Sequence, residues 1–546
     1  MKDTHRHKPW LRLLALLFTL GLIAAACGGD DNKAGEGDDE GTDQATDQGD
    51  KSDEPERNPV KGGELVFAGE ADVATLAPGE AAQPTDKVVT LGIYDPLTTY
   101  IDGKVEPWLA ESVEGNDALD TWTVKLREGV LFHDNTPLNA DAVVKHFQRL
   151  QDPATACPCK TTADQIKKMD TPDGADGLTV VFHVSPPNVA FEDYLAGSSG
   201  YIESPTAAAS GYNFKTGGVG TGPFKFSKYV AGERTELVAW DKYWYKDENG
   251  IQLPYLDKLT VVPIADANQR LTALETGEID MFQSAASDTV VQGEKKGFAA
   301  QKISGSSSTI ILFNNAKPPF NDVRARQAVA YAIDKDLINE RAYDGVRVPS
   351  YSGFAPDSAY YNKDAQTPHY DPDKARKLVE DLGGLEFTLV CIPTPEADEI
   401  LNIIKALGED VGMKIKLESQ EQGAYVNRMF SKSGDYEAGC FRSSHFIEPD
   451  AIRPGLTTGD TGNLAFYSNP KVDKLLDEAR QTADFETRKE KYFEVQEITA
   501  EDVPLLTTLY DLFGNVYDDS RAGPPPPGEA NSLGAIKPGF LYAVDG

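Results

Sequence analysis

From Lys61 onward the sequence keeps switching between two hydrophobic periods, and that interleaving leaves few folds open. KGGELVFAG reads as a turn and a short alternating strand. In DTWTVKLREGVLFHD, Trp122, Val124 and Leu126 recur every second residue, the pattern of a half-buried strand. GLTVVFHV repeats it with Leu178, Val180, Phe182 and Val184 on one face. Between such runs the period lengthens to that of a helix. NADAVVKHFQRL predicts a helix capped by Asn139, and Ala325, Val329, Ile333 and Leu337 predict one over 323–342 behind Asn321 and Asp322. Further helices are expected near 396–411, 471–482 and 486–501. Strands and helices alternate in both halves of the chain, which favours α/β lobes over an all-β body. A body from about Lys61 to Gly546 is too long for one core, so two or three domains are expected.

What precedes the body bears on where it works. Lys2, Arg6, Lys8 and Arg12 give a basic start, and Leu13–Ala26 is an uncharged run of 14 residues. A bilayer-spanning helix needs roughly 20. The run fits the apolar region of a secretory signal, with Ala24, Ala25 and Ala26 before the cut. It ends on Cys27, and a cysteine there resembles the lipobox of bacterial lipoproteins, although Ala24 stands where that motif commonly has leucine. The resemblance implies a diacylglyceryl group on Cys27 and stable membrane anchoring by two chains. Residues 28–58 carry twelve Asp or Glu against three Lys or Arg, with almost no large apolar side chain. Such a tract cannot bury enough apolar surface to offset its ordering entropy, so a flexible tether is expected. Its reach is about 30 Å.

Charge narrows the partners. Cleavage before Cys27 leaves 49 basic against 86 acidic groups. So acidic a chain argues against nucleic acid and against direct adsorption to an anionic membrane. Of the cysteines in the body, Cys391 in FTLVCI and Cys440 in YEAGCFR lie in strand-like stretches. Three pairings are open for an exported chain with four cysteines. Cys391–Cys440 is favoured, which leaves Cys157 and Cys159 to close a Cys-Pro-Cys loop. Enzyme signatures are missing: there is no HExxH, GxSxG or Walker A pattern. GVGTGPF is glycine-rich, but Pro223 and a strand follow it instead of a helix N-terminus, so it is not read as a phosphate cradle. No catalytic residue, metal site or cofactor is expected.

Several long segments occur in a familiar order. VEPWLAESVE precedes DTWTVKLREGVLFHDNTPLNADAVV; then come GTGPFKFSKYVAGERTELVAWDKYWY, ALETGEIDM and NNAKPPFNDVRARQAVAYAIDKDLI. The chain resembles the peptide/nickel-type extracellular solute-binding proteins of ABC importers, the oligopeptide- and dipeptide-binding class. The resemblance implies an α/β, two-lobe, periplasmic-binding-protein-like fold. Lobe I would be built from 59–97, 207–311 and 509–546, with a subdomain inserted at 98–206 and a second lobe at 312–508. Crossovers near Phe313–Asn315 and Leu509–Phe513 would serve as the hinge. A peptide or peptide-sized organic solute would bind between the lobes of a monomer, which would deliver it to a membrane permease. A sensing receptor on the same fold and a nickel-type carrier of a metal complex are the other readings.

The resemblance also places ligand residues. The loop Ala82, Gln83, Pro84 lies where such proteins pair with a bound peptide backbone, as an added strand would. Gln422 stands where an aromatic residue often faces ligand, and Tyr425 follows on the same short helix. EAGCFRSSHFIEPD brings Phe441, Arg442, Ser443, Ser444 and His445 to the cleft. Peptide binders commonly have tryptophan and then aspartate here; Cys440 takes the first place and Ser443 the second. A serine cannot neutralise a buried ammonium, whereas Arg442 suits a carboxylate or phosphate. Glu448 or Asp450 is the expected substitute for the missing acid.

Overall fold

The structure, a computed structural model, describes residues 59–544 except 82, 102–103, 156, 158, 394, 432, 446 and 525–535. The leader, Cys27, the acidic tract and Ala82 therefore lie outside the described residues.

β1 (Glu64–Gly69) belongs to the largest sheet. The next six strands form separate layers: β2 (Thr98–Ile101), β3 (Lys104–Pro107), β4 (Ala110–Gly115), β5 (Thr121–Leu126), β6 (Ile166–Asp170) and β7 (Thr179–Val184). β2 and β3 make a hairpin, and the others an antiparallel sheet of order β4-β5-β7-β6. The expected alternation holds. Trp122, Val124 and Leu126 of β5, with Val180, Phe182 and Val184 of β7, are buried in one core with Phe147 and Leu150. Those last two come from the helix Ala140–Gln151, whose cap is Asn139, accepting from the amide of Ala142.

The chain then returns to the large sheet with β8 (Phe224–Val230), β9 (Arg234–Ala239), β10 (Lys258–Pro263), β11 (Met281–Ser284) and β12 (Ala299–Phe313). After it come β13 (Val348–Pro349), β14 (Leu385–Cys391), β15 (Met413–Ser419), β16 (Ala438–Ser444) and β17 (Leu505–Tyr517). A last hairpin pairs β18 (Ala522–Gly523) with β19 (Tyr542–Ala543). The large sheet has the order β15-β14-β16-β12-β17-β11-β1-β10-β9-β8, with β13 beside β17, eleven strands in all.

Two long strands make this one sheet serve two halves. β12 pairs with β17 at Ala299–Ser304 and again at Ile310–Leu312, with register shifts around Ser308. On one side of the break the neighbours are β11, β1 and β10; on the other they are β16, β14 and β15. The first crossover thus falls at Ser304–Ser308, ahead of the Phe313–Asn315 stretch expected from the sequence. The second falls opposite it, near Tyr510–Leu512, within the expected stretch. A register shift leaves ladder positions unpaired and bends the strand, so the pair is weakest where the halves meet.

Cores flank the sheet separately on each half. Helices Val323–Ala332 and Pro395–Asp410 cover one face of the β14–β16 side, and Pro470–Arg480 and Phe485–Asp502 the other. The single helix expected over 323–342 is two, Val323–Ala332 and Lys335–Tyr343. Asp334 breaks it by capping the second, accepting from the amide of Leu337; an aspartate bonds the backbone more readily at a cap than in a helix interior. The glycines of GVGTGPF have a packing explanation. A Cβ on Gly220 would sit 2.2 Å from the carbonyl oxygen of Ile93, and one on Gly222 2.6 Å from its carbonyl carbon. The loop presses on the end of the helix Pro84–Ile93.

The inserted layer is tied down by a buried acid. Asp95 accepts from Trp108 Nε1 (2.8 Å), Tyr243 hydroxyl (3.0 Å), Trp244 Nε1 (3.1 Å) and Thr221 hydroxyl (3.1 Å). Burial raises its pKa, and the four donors pull the other way.

Candidate functional site

Parallel strands point their carboxyl ends at a common edge, and in open α/β sheets that edge is where ligands bind. Here there are two such sets: β10-β1-β11, and β15-β14-β16. Beyond β1 comes Glu70, whose Oε1 accepts from the amide of Ala285 (2.7 Å) and from Arg270 Nη2 (3.0 Å). Arg270 is buried and also bonds the carbonyls of Ile264 (2.7 Å) and Ala265 (3.0 Å). It knits the ends of β10 and β11 to β1. The same connection leads on to Gln83, exposed at the N-cap, and Pro84, the first residue of the helix Pro84–Ile93.

On the other half, β16 carries most of the residues expected at the site. It pairs with β12 along its whole length, Ala438–Ser444, but with β14 only at Ala438 and Gly439. From Phe441 to Ser444 one edge of β16 therefore has no strand beside it among the described residues. An open edge of this kind accepts an extended backbone as an added strand. Phe441 is half-buried, with its ring 6.1 Å from that of the exposed Phe430. Ser443 and Ser444 lie opposite Ser308 and Ser307 in the ladder.

Other expected residues turn inward. Tyr425 is buried and its hydroxyl donates to the carbonyl of Cys440, so it braces β16. Gln422 opens the helix Gln422–Met429. His445 is buried against the ring of Tyr510 (5.4 Å), and its Nε2 lies 2.8 Å from the hydroxyl of Ser308. Burial pushes its pKa down to about 4, so the ring is neutral at pH 7. A disulfide joins Cys391 at the end of β14 to Cys440 in β16; a second joins Cys157 to Cys159.

The charges are arranged in pairs. Asp450, expected to hold a ligand cation, is buried and gripped by Arg480 through Nε (2.9 Å) and Nη2 (2.5 Å). Glu448 is held by Arg488, with Nη1 at 3.0 Å from Oε2. Both carboxylates are thus paired with guanidinium groups of the protein itself. Arg480 also marks the seam with the inserted layer: its carbonyl accepts from the amide of Val189 at 2.9 Å. Beside it Asp193 accepts from the Tyr100 hydroxyl (2.7 Å), and burial together with the charge of Glu448 pushes its carboxyl upward.

Arg442 pairs with an acid of the protein that sequence reading did not identify. Its Nε lies 3.0 Å from Oδ2 of Asp511, a fully buried acid in β17. Asp511 also accepts from Ser307 (2.5 Å) and from Arg347 Nη1 (2.9 Å), and Arg347 Nε donates to Ser287 (2.9 Å) on the other half. The signal was an aspartate inside TLYDLFG, a charge in an otherwise apolar strand. Among the described residues no group of three His, Cys, Asp or Glu is placed to hold a metal ion, and no helix is long and apolar enough to cross a membrane.

Two α/β halves on one continuous sheet, with strand ends converging where the sheet is weakest, define a cleft-type solute-binding protein. Residues 104–452 match the model of the bacterial extracellular solute-binding proteins, family 5, and the chain belongs to that family. It is similar to a di/tripeptide-binding protein of Pseudomonas aeruginosa, 28% identical over 84% of this chain and 92% of the relative. It is 31% identical to the glutathione-binding protein GsiB of Pectobacterium atrosepticum, over 81% of this chain and 87% of that one. Among solved structures, the ABC transporter substrate-binding protein CtaP of Listeria monocytogenes superposes with a TM-score of 0.79 at 25% identity. That match covers 89% of this chain and all of CtaP.

Proposed function

We propose that this protein captures a peptide or peptide-sized organic solute in the crevice between its halves and delivers it to the permease of an ABC importer. It does no chemistry on the solute. The observation that carries this reading is the edge of β16 left open beyond β14, from Phe441 to Ser444, at the carboxyl end of the parallel set β15-β14-β16. Relatives named for di/tripeptides and glutathione support the peptide-sized class, and CtaP supports the import role. The halves comprise 59–97, 207–304 and 512–544 on one side and 308–510 on the other, with 98–206 inserted. The protein acts as a monomer, held at the outer face of the cytoplasmic membrane by lipid on Cys27. Cys27→Ala should release it from membranes into the medium or periplasm.

The ligand test is native mass spectrometry of the tagless mature protein as purified, then denaturation to release what is bound. Short peptides or one organic solute of similar size support the reading. A bound metal complex that leaves on chelation would replace it with the nickel-type alternative.

A further inference from the structure

Building on that capture reading, we propose that Asp193 takes up a proton as the halves close, so that capture of the solute is coupled to proton binding at the seam between the inserted layer and the second half. The inserted layer is fixed to the first half by buried bonds. Asp95 holds Trp108, and the ring of His133 bridges the amide of Gly220 (3.3 Å) and the carbonyl of Gly222 (2.9 Å). Arg149 Nη2 donates to the carbonyl of Pro78 (2.9 Å). Contacts that run from this layer to the second half are therefore the ones that part when the halves open. The bond from Val189 to Arg480 is one of them.

Asp193 lies just beyond Val189, on the short helix Phe191–Ala196, and accepts from the Tyr100 hydroxyl of β2 at 2.7 Å. The second half faces it with two ion pairs, Glu448 with Arg488 and Asp450 with Arg480. Arg488 also donates to the Tyr360 hydroxyl (2.9 Å) and packs over the rings of Tyr360 and Tyr492. From the inserted layer, Glu192 stands on the same helix as Asp193, and Glu106 on β3. Both guanidinium groups are thus engaged. Closure brings Glu192 and Asp193 up to them with no ion-pair partner of their own among the described residues. The attraction of Arg488 and the bond from Tyr100 favour an ionised Asp193. Burial and the charges of Glu448 and Glu192 outweigh them and push its carboxyl upward. Glu192 moves the same way, through burial and the charges of Glu448 and Glu106. A proton on Asp193 removes the repulsion across the seam and leaves an oxygen to accept from Tyr100. Once the seam parts, Asp193 meets water and returns to the ordinary carboxylate range. The closed form then holds the extra proton between the two values, so acid favours closure and alkali favours opening.

The test uses ligand-stripped mature protein and a randomised tripeptide pool, from which native mass spectrometry picks a retained member. Calorimetry of that tripeptide is run at pH 6, where its own termini keep their charges, in two buffers of different ionisation enthalpy. The difference in heat counts the protons taken up on binding. The wild type should take up about one proton more per tripeptide than Asp193→Asn, whose amide mimics the protonated acid and which should still bind. Equal uptake by the two proteins overturns the coupling and leaves the capture reading standing. A wild type that takes up no proton overturns it too, whatever the variant does. If no tripeptide is retained, the peptide reading falls, and the coupling is judged from the stripped protein alone by small-angle X-ray scattering. Its radius of gyration should rise from pH 5 to pH 9 in the wild type and stay constant in D193N. A radius independent of pH in the wild type, or equally dependent in both, overturns the coupling.

Discussion

His445 offers a quantitative check on how tightly the hinge is packed. Its ring is 2% exposed, and burial lowers its pKa from the ordinary 6.5 to about 4. The unfolded chain takes up a proton below pH 6.5 that the folded imidazole refuses. Stability from this group is therefore complete above pH 6.5 and is lost as pH falls toward 4. Between pH 7 and pH 5 the loss is about 2 kcal/mol. His133 behaves alike, also pushed down to about 4 by burial, so the wild type alone cannot assign the effect. His445→Gln keeps a donor near Ser308 and removes the titrating ring. Equilibrium urea unfolding of the mature protein at pH 7 and pH 5, followed by tryptophan fluorescence, compares the two. The variant should be spared about 2 kcal/mol of the wild type's loss on acidification. Parallel pH profiles for the two proteins would refute the reasoning, because His445 would then titrate in contact with water.

Asp511→Asn keeps the shape of the side chain but removes the buried carboxylate that Arg347 faces at 2.9 Å, and breaking a buried pair in this way should cost about 3–5 kcal/mol by urea unfolding; a loss under about 1 kcal/mol would mean that the pair behaves like an exposed one. The Cys391–Cys440 bond spans a separation of 49 residues, so replacing both by serine should destabilise the β14–β16 side by about 4 kcal/mol, read as the difference between variant and oxidised wild type.

Local features were the ones legible from sequence. β5 and β7 announce themselves by alternation, and the Asn139 cap by its place before an apolar period, because both signals are carried by neighbours in the chain. The helix break at Asp334 was missed because the apolar stripe runs through it; only the side-chain bond to Leu337 decides between interior and cap. The break in β12 at Ser304–Ser308 was not legible, since a register shift depends on the partner strand and leaves no mark on composition. At the site, Arg442 stood out, but its partners did not. Arg347 and Asp511 are 164 residues apart in sequence and meet only when β17 crosses the sheet. The partners of Asp450 and Glu448 were hidden for the same reason, as Arg480 and Arg488 come from helices that follow them in the chain.

Closure of two halves around a solute is tested most directly by small-angle X-ray scattering of the mature protein, first stripped of ligand and then reloaded with what co-purified. In the structure the seam is bridged, with the amide of Val189 on the carbonyl of Arg480. The stripped protein should therefore be the more extended, and its radius of gyration should fall on reloading. An unchanged radius with ligand demonstrably bound would contradict a hinge at Ser304–Ser308 and the capture mechanism built on it.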